Sequence, residues 1–189
     1  YEVAHDFLSQ KAGEETIAIA QTVNAFFRWE FNSCEMLVKD DVVYPIDYAN
    51  ACPDVAVTSL HYYFPWAMKS LLKWSSFCVM TDRIAKTQVD TAPWFAIADD
   101  PDLDYAAKIV AYQALASQHF DTERYQEFCA ATLGHVDEFV YEYVTSPEFR
   151  SMLTSTIQQT YPTHEWERFE AHFGGLLGIW ADDNSHLAG

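Results

Sequence analysis

The sequences Asp100-Pro101, Ser146-Pro147-Glu148 and Pro162-Thr163 punctuate this chain as helix starts. In each, a polar side chain can accept the first free backbone N–H groups, or a proline with its fixed φ suits the first turn. Strand signals are scarce by comparison. No run of alternating β-branched residues occurs, and no Asn-Gly or Asp-Gly pair is present to close a tight hairpin. The expected fold is all-α: residues 1–189 as one domain, a single compact bundle or orthogonal array of seven to eight helices.

The caps and apolar spacing place the helices. A short one is expected over Glu2 to Lys11, broken by Gly13. A long one follows from about Glu14 to Asp40, with Ile19, Val23, Phe26, Phe31 and Leu37 among its buried positions. Residues 41–54 read as an irregular connection, and Val55 to Tyr63 as a short helix. A helix from Pro65 to about Gln88 buries Phe77 and Ile84 among others, and residues 89–100 form a second connection. Helices then run from Pro101 to His119, from the Asp121 cap to Val144, from Ser146 to Thr160, and from His164 to Trp180. No internal repeat or low-complexity linker divides the chain.

Half the residues are hydrophobic and 16% are aromatic, which excludes general disorder. Rings at that density fill a core and can also wall a pocket for a flat or greasy molecule. Charge limits the partners. With 28 acidic residues against 11 basic ones, the net charge is -17. A nucleic acid or an anionic membrane surface, which needs concentrated Lys and Arg, is excluded. The acidity reads first as solvation, and second as a docking face for a basic protein partner.

Cys34, Cys52, Cys78 and Cys129 stand too far apart for a CxxC metal or redox motif. Three of them sit in apolar patterns as small hydrophobes, which points to a reducing cytoplasm. No apolar run reaches the ~18–20 residues of a membrane span. The chain opens without Met and without a basic-then-apolar leader, so a trimmed start is expected.

Candidate chemistry gathers on a few residues. Glu30 shares a stripe with Val23, Phe26 and Leu37, where a carboxylate needs a cation, a metal or a raised pKa. His119 ends the Tyr105/Tyr112 stripe, and His172 lies beside Phe169 and Phe173. If Glu30, His119 and His172 shared one cavity, they could bind a metal such as iron or run acid–base chemistry. Other acid–histidine spacings are weaker. Glu2–His5 is terminal, while His135/Glu138 and His164/Glu167 lie on polar helix flanks.

The run His61-Tyr62-Tyr63-Phe64-Pro65-Trp66 holds too many rings to face one core. With Trp94 and Phe95, it reads as a ligand mouth or an oligomer contact. Gly174, Gly175 and Gly178 lie inside a helical pattern, where each costs about 1 kcal/mol against alanine. A close neighbour against that surface is expected. No Gly-x-Ser-x-Gly elbow or reactive-cysteine setting occurs.

The first functional expectation is a helical domain that binds a small apolar or aromatic ligand. Glu30, His61, Tyr62, Trp66, Tyr112, His119 and His172 are its candidate contacts. The second is a metal-dependent oxidase or oxygenase using Glu30, His119 and His172. The third is a homo-oligomeric or accessory interaction subunit. The partner of the Glu30 carboxylate discriminates among them.

Overall fold

The computed structural model describes residues 3–5 and 7–188, so the expected acid–histidine pair at Glu2 and His5 lies partly outside the described residues. The chain is predominantly helical. Among the described residues its only sheet is a two-stranded hairpin. The chain groups into two compact units interleaved in sequence. One is drawn from Asp54–Asp82 and Phe128–Gly189, the other from Ala4–Pro53 and Arg83–Glu127.

In the first unit, the single turn α2 (Val57–Leu60) and a 3-10 turn (His61–Tyr63) lead into α3 (Phe64–Met80). The end of α6 (Thr122–Thr132), then α7 (Val136–Thr145), α8 (Pro147–Thr160) and α9 (Trp166–Asp183) complete it. Ser146 caps α8 as its sequence indicates, accepting from the Phe149 N–H at 3.2 Å. Helical spacing selects the core: Val136, Val140 and Val144 on α7, Phe149, Leu153 and Ile157 on α8, Phe173, Leu177 and Trp180 on α9. Full burial of a side chain such as Phe173 or Ile157 contributes about 1.5–3 kcal/mol.

Several expected boundaries in this unit move. The helix expected from Asp121 to Val144 breaks at Leu133–His135 and restarts at Val136. That restart changes the phase of the buried stripe, so Val140 faces inward while Phe139 is 54% exposed. α3 ends at Met80, well before Gln88, because Thr81 donates to the Phe77 carbonyl and Asp82 turns to φ 49°. Ile84 therefore leaves the helix and is exposed rather than buried.

The second unit holds α1 (Gln10–Phe27), β1 (Ser33–Lys39), β2 (Val42–Asn50), α4 (Ala92–Asp99) and α5 (Tyr105–Phe120). α1 packs against α5 and the hairpin, and α4 packs against α5. The buried alanines Ala18 and Ala25 on α1 and Ala116 on α5 leave the helices room to approach. One apolar cluster joins Ala12, Ile19 and Val43, and a second joins Ala25, Trp94 and Ala116.

The hairpin corrects the expectation of one helix running from Glu14 to Asp40 and an irregular segment after it. α1 begins instead at Gln10, capped by Ser9, and stops at Phe27. Arg28 takes the left-handed conformation, φ 63°, while its N–H bonds the Ala25 carbonyl and the Trp29 N–H bonds the Asn24 carbonyl. This pairing closes a helix, most often at glycine, and here an arginine occupies the position. Asp40 and Asp41, with φ 53° and 62°, supply the two left-handed residues of a tight hairpin turn. Pro45 is tolerated in β2 because both strands of a two-stranded ribbon are edges.

The connection expected over residues 89–100 contains α4, with Pro93 in its first turn and Trp94 buried. Asp104 replaces Asp100 as the cap of α5, accepting from the Ala107 N–H at 2.8 Å. Asp121 ends α5 in the left-handed conformation, φ 51°, at the position expected to open the next helix. No helix among the described residues is long and apolar enough to cross a membrane.

Candidate functional site

The second unit contains a slot of about 360 Å³ between α1, α4, α5 and β2. Its walls are mostly rings. α1 supplies Phe26 and Phe27, α4 supplies Trp94 and Phe95, α5 supplies Tyr112 and β2 supplies Tyr48. Pro93 lies in the first turn of α4, and the Trp94 ring beside it stacks on Tyr112 of α5 with centroids 5.9 Å apart and planes at 17°. Phe26 meets Trp94 edge-on at 5.7 Å and Phe95 edge-on at 6.3 Å. Both arrangements are favoured by the ring quadrupole.

Besides the phenols of Tyr48 and Tyr112, Thr22 brings a hydroxyl to the lining. Its Oγ1 is buried and has no hydrogen-bond partner among the described residues. Thr16, Thr145, Thr156 and Thr160 each donate to the carbonyl four residues back on their own helices, at 2.7–2.9 Å. Thr22 makes no such bond. Small-molecule sites combine apolar walls with a few convergent polar groups in this way.

The first unit has a smaller groove of about 260 Å³. Tyr62, Tyr63, Trp66, Trp180, Lys69 and Asp137 are among its lining residues. Tyr62 Oη donates to Asp183 Oδ2 at 2.7 Å, and burial together with that bond pushes the phenol up to about 12. Lys69 and Lys73 hold Asp137 at 3.0 and 3.2 Å. Burial alone raises the Asp137 carboxyl, but the two ammonium groups outweigh it and keep the carboxyl below its usual range. The groove is thus a mixed surface whose polar groups already serve one another.

Glu30 and His119 both lie in the second unit, around the buried Arg83. Glu30 Oε1 accepts from Arg83 Nη1 at 2.9 Å. Glu30 lies beyond the end of α1 at Phe27 rather than on the helical stripe expected of it, and this guanidinium is the cation paired with its carboxylate. Glu30 Oε2 is buried without a hydrogen-bond partner among the described residues, as is His119 Nε2. Arg83 and Lys86 also bond the His119 carbonyl at 3.2 and 3.3 Å, which places cations at the α5 C-terminus where its dipole favours them. Burial holds the His119 imidazole below its usual pKa. Arg28, Lys86 and Arg83 reinforce the shift, and Glu30 opposes it.

His172 belongs to the first unit, with His61. Their rings lie 6.1 Å apart, and His61 stacks on Phe173 at 5.2 Å. Burial lowers the His61 pKa, a bond to the Thr58 backbone opposes this, and His172 adds to the lowering. His61 also has φ 49° and ψ −118°, a strained backbone for a side-chain-bearing residue.

The candidate residues therefore fall into separate groups. Tyr62 and Trp66 share the groove, His61 and His172 pair with Phe173, Glu30 and His119 flank Arg83, and Tyr112 lines the slot. Among the described residues, no three or more His, Cys, Asp or Glu side chains gather as a ligand set. His135, Glu138, His164 and Glu167 are exposed, as their helix flanks indicate. At Gly174, Gly175 and Gly178 an added Cβ would meet nothing within 4 Å, so the close neighbour expected there is absent among the described residues.

Sequence reasoning missed Phe26, Phe27, Thr22 and Tyr48 as site residues. The adjacent Phe26-Phe27 pair on one helix was the available signal, since both rings cannot enter the same core. Comparison with protein families, curated proteins and solved structures finds no match to this chain.

Proposed function

We propose that this chain binds a small apolar or aromatic molecule bearing one polar group, held in the slot between α1, α4, α5 and β2. The observation that carries the reading is the Trp94–Tyr112 wall of a slot lined mainly by rings, with Thr22, whose buried hydroxyl is unpaired, among its lining residues. A flat molecule of two or three fused rings suits a slot of about 360 Å³. The rings supply dispersion and quadrupole contacts, and the threonine fixes orientation. Free thiols at Cys34, Cys52 and Cys129 suit a reducing compartment, and the cytoplasm is our assignment.

The test uses naphthalene and a naphthol as probes, read by ligand-observed NMR and thermal shift. Saturable binding with a rise in melting temperature is expected. Phe95 is 57% exposed, so Phe95→Glu places a charge at the mouth without opening a core cavity. The variant should melt with the wild type and bind neither probe. Absence of saturable binding to the wild type, or equal binding by the variant, overturns the proposal.

A further inference from the structure

The hairpin turns one face away from α1. Val43 is buried in the cluster with Ala12 and Ile19, so its strand neighbour Tyr44 points the other way. Leu37 pairs with Tyr44 across the strands, and Ile46 follows along β2. Leu37, Tyr44 and Ile46 are 59%, 50% and 55% exposed. These side chains sit together on paired strands, and a contiguous apolar patch of that kind marks an interaction surface. In a sheet of two strands both are edges, with backbone donors and acceptors open to a further chain.

The charge around the patch selects the occupant. Glu35, Asp40, Asp41 and Asp47 stand on the hairpin, whose own cation is Lys39, and Lys11 reaches Asp41 at 3.9 Å. A second copy would bring the same acidic fringe against itself, on chains that each carry a net charge of -17. Like-charge juxtaposition disfavours that pairing, whereas a cationic segment is steered toward the face. We propose that the outer face of the β1–β2 hairpin docks a basic, apolar-centred segment of another protein. The apolar centre covers Leu37, Tyr44 and Ile46, while its Lys or Arg residues meet Glu35 and Asp47. The proposal uses the face opposite the α1 side and does not depend on ligand binding in the slot.

Fluorescence anisotropy with synthetic peptides tests it on the full chain. One peptide has a Val-Phe-Ile-Val centre flanked by lysines. A second keeps that centre between glutamates, and a third keeps the lysines around a Ser-Gly centre. Only the first should bind, and its affinity should fall as salt rises. Leu37→Ser with Tyr44→Ser should weaken it about thirtyfold, the scale of losing an interface anchor. Glu35→Lys with Asp47→Lys leaves the apolar face intact and should weaken binding and flatten the salt dependence. This second variant keeps the test valid if the serine variant misfolds. The proposal is overturned if the first peptide fails to bind, if the second or third binds equally, or if the lysine variant binds as the wild type does. Light scattering that shows a wild-type dimer, dissociated by the serine substitutions, would assign the face to a second copy and also overturn it.

Discussion

Replacing Thr22 with valine should make the unliganded protein more stable and a worse binder, and both signs follow from one hydroxyl. The Thr22 Oγ1 is buried without a partner, whereas Thr16 on the same helix donates to the Ala12 carbonyl at 2.8 Å. A buried unsatisfied polar group costs about 1–3 kcal/mol. Thr22 is only half-buried as a residue, so the lower end of that range applies. Valine has nearly the same shape and helix propensity, so packing and backbone terms largely cancel. The expected gain is about 1 kcal/mol, or roughly 2–4 °C in melting temperature for a chain of this length. A neutral hydrogen bond contributes about 0.5–1.5 kcal/mol net, so a naphthol should bind the variant about two- to tenfold more weakly. Naphthalene, which asks nothing of the hydroxyl, should bind unchanged. Denaturant unfolding gives the first number and ligand titration the others. A variant no more stable than wild type refutes the unsatisfied-hydroxyl argument, and equal loss for both probes refutes its orienting role.

Three further outcomes follow from the same geometry. Alanine at Gly174, Gly175 or Gly178 should stabilise the chain by about 0.5–1 kcal/mol each, because all three are helical and an added Cβ meets open space; denaturant midpoints check this, and a loss would mean that something covers that surface in solution. His119 binds a proton less readily when folded than unfolded, so between its lowered folded pKa and about 6.5 the unfolded state holds more protons and stability rises with pH. His119→Gln should flatten that part of the stability–pH curve, and an unchanged slope would show that the imidazole is hydrated. Asp137 follows the same sign in a more acidic window: its lowered carboxyl pKa stabilises the fold above the usual carboxylate range, and this is lost as pH falls through the folded value. Asp137→Asn should therefore remove part of the acid-induced loss, measured by melting temperature from neutral to acidic pH.

The helices legible in the sequence were those whose ends carry their own chemistry. Ser146-Pro147 caps α8 through a side chain three residues from its target, and the apolar spacing of α9 depends on nothing beyond the helix. The hairpin was hidden because its signals are indirect. Its turn uses Asp40 and Asp41 where glycine or asparagine is usual, and α1 stops at an arginine in a left-handed conformation. Each is permitted only because other groups hold it. Asp41 accepts from Ser9, while Asn32 donates to Asn24 Oδ1 and the Tyr48 carbonyl. Phe31, Cys34 and Leu37 fit a helical stripe while Cys34, Met36 and Val38 alternate as a strand face, and over so short a run the two patterns overlap.

The candidate site was legible in kind and not in place. Aromatic excess implies that some rings lie outside a dry core, and that holds wherever the chain folds. Choosing which rings meet needs contacts between distant segments. Tyr112 reaches Trp94 because α4 exists where the sequence reads as a connection, and Tyr48 joins the same slot only once β2 replaces irregular chain. Glu30 shows the limit from the other side. The stripe expected to carry it ends with α1 at Phe27, so Glu30 lies in the turn that follows, and its carboxylate meets Arg83, a residue of which periodicity along α1 carries no trace. A pattern along one helix can state what a buried carboxylate needs; only the fold decides whether a metal, a histidine or a guanidinium supplies it.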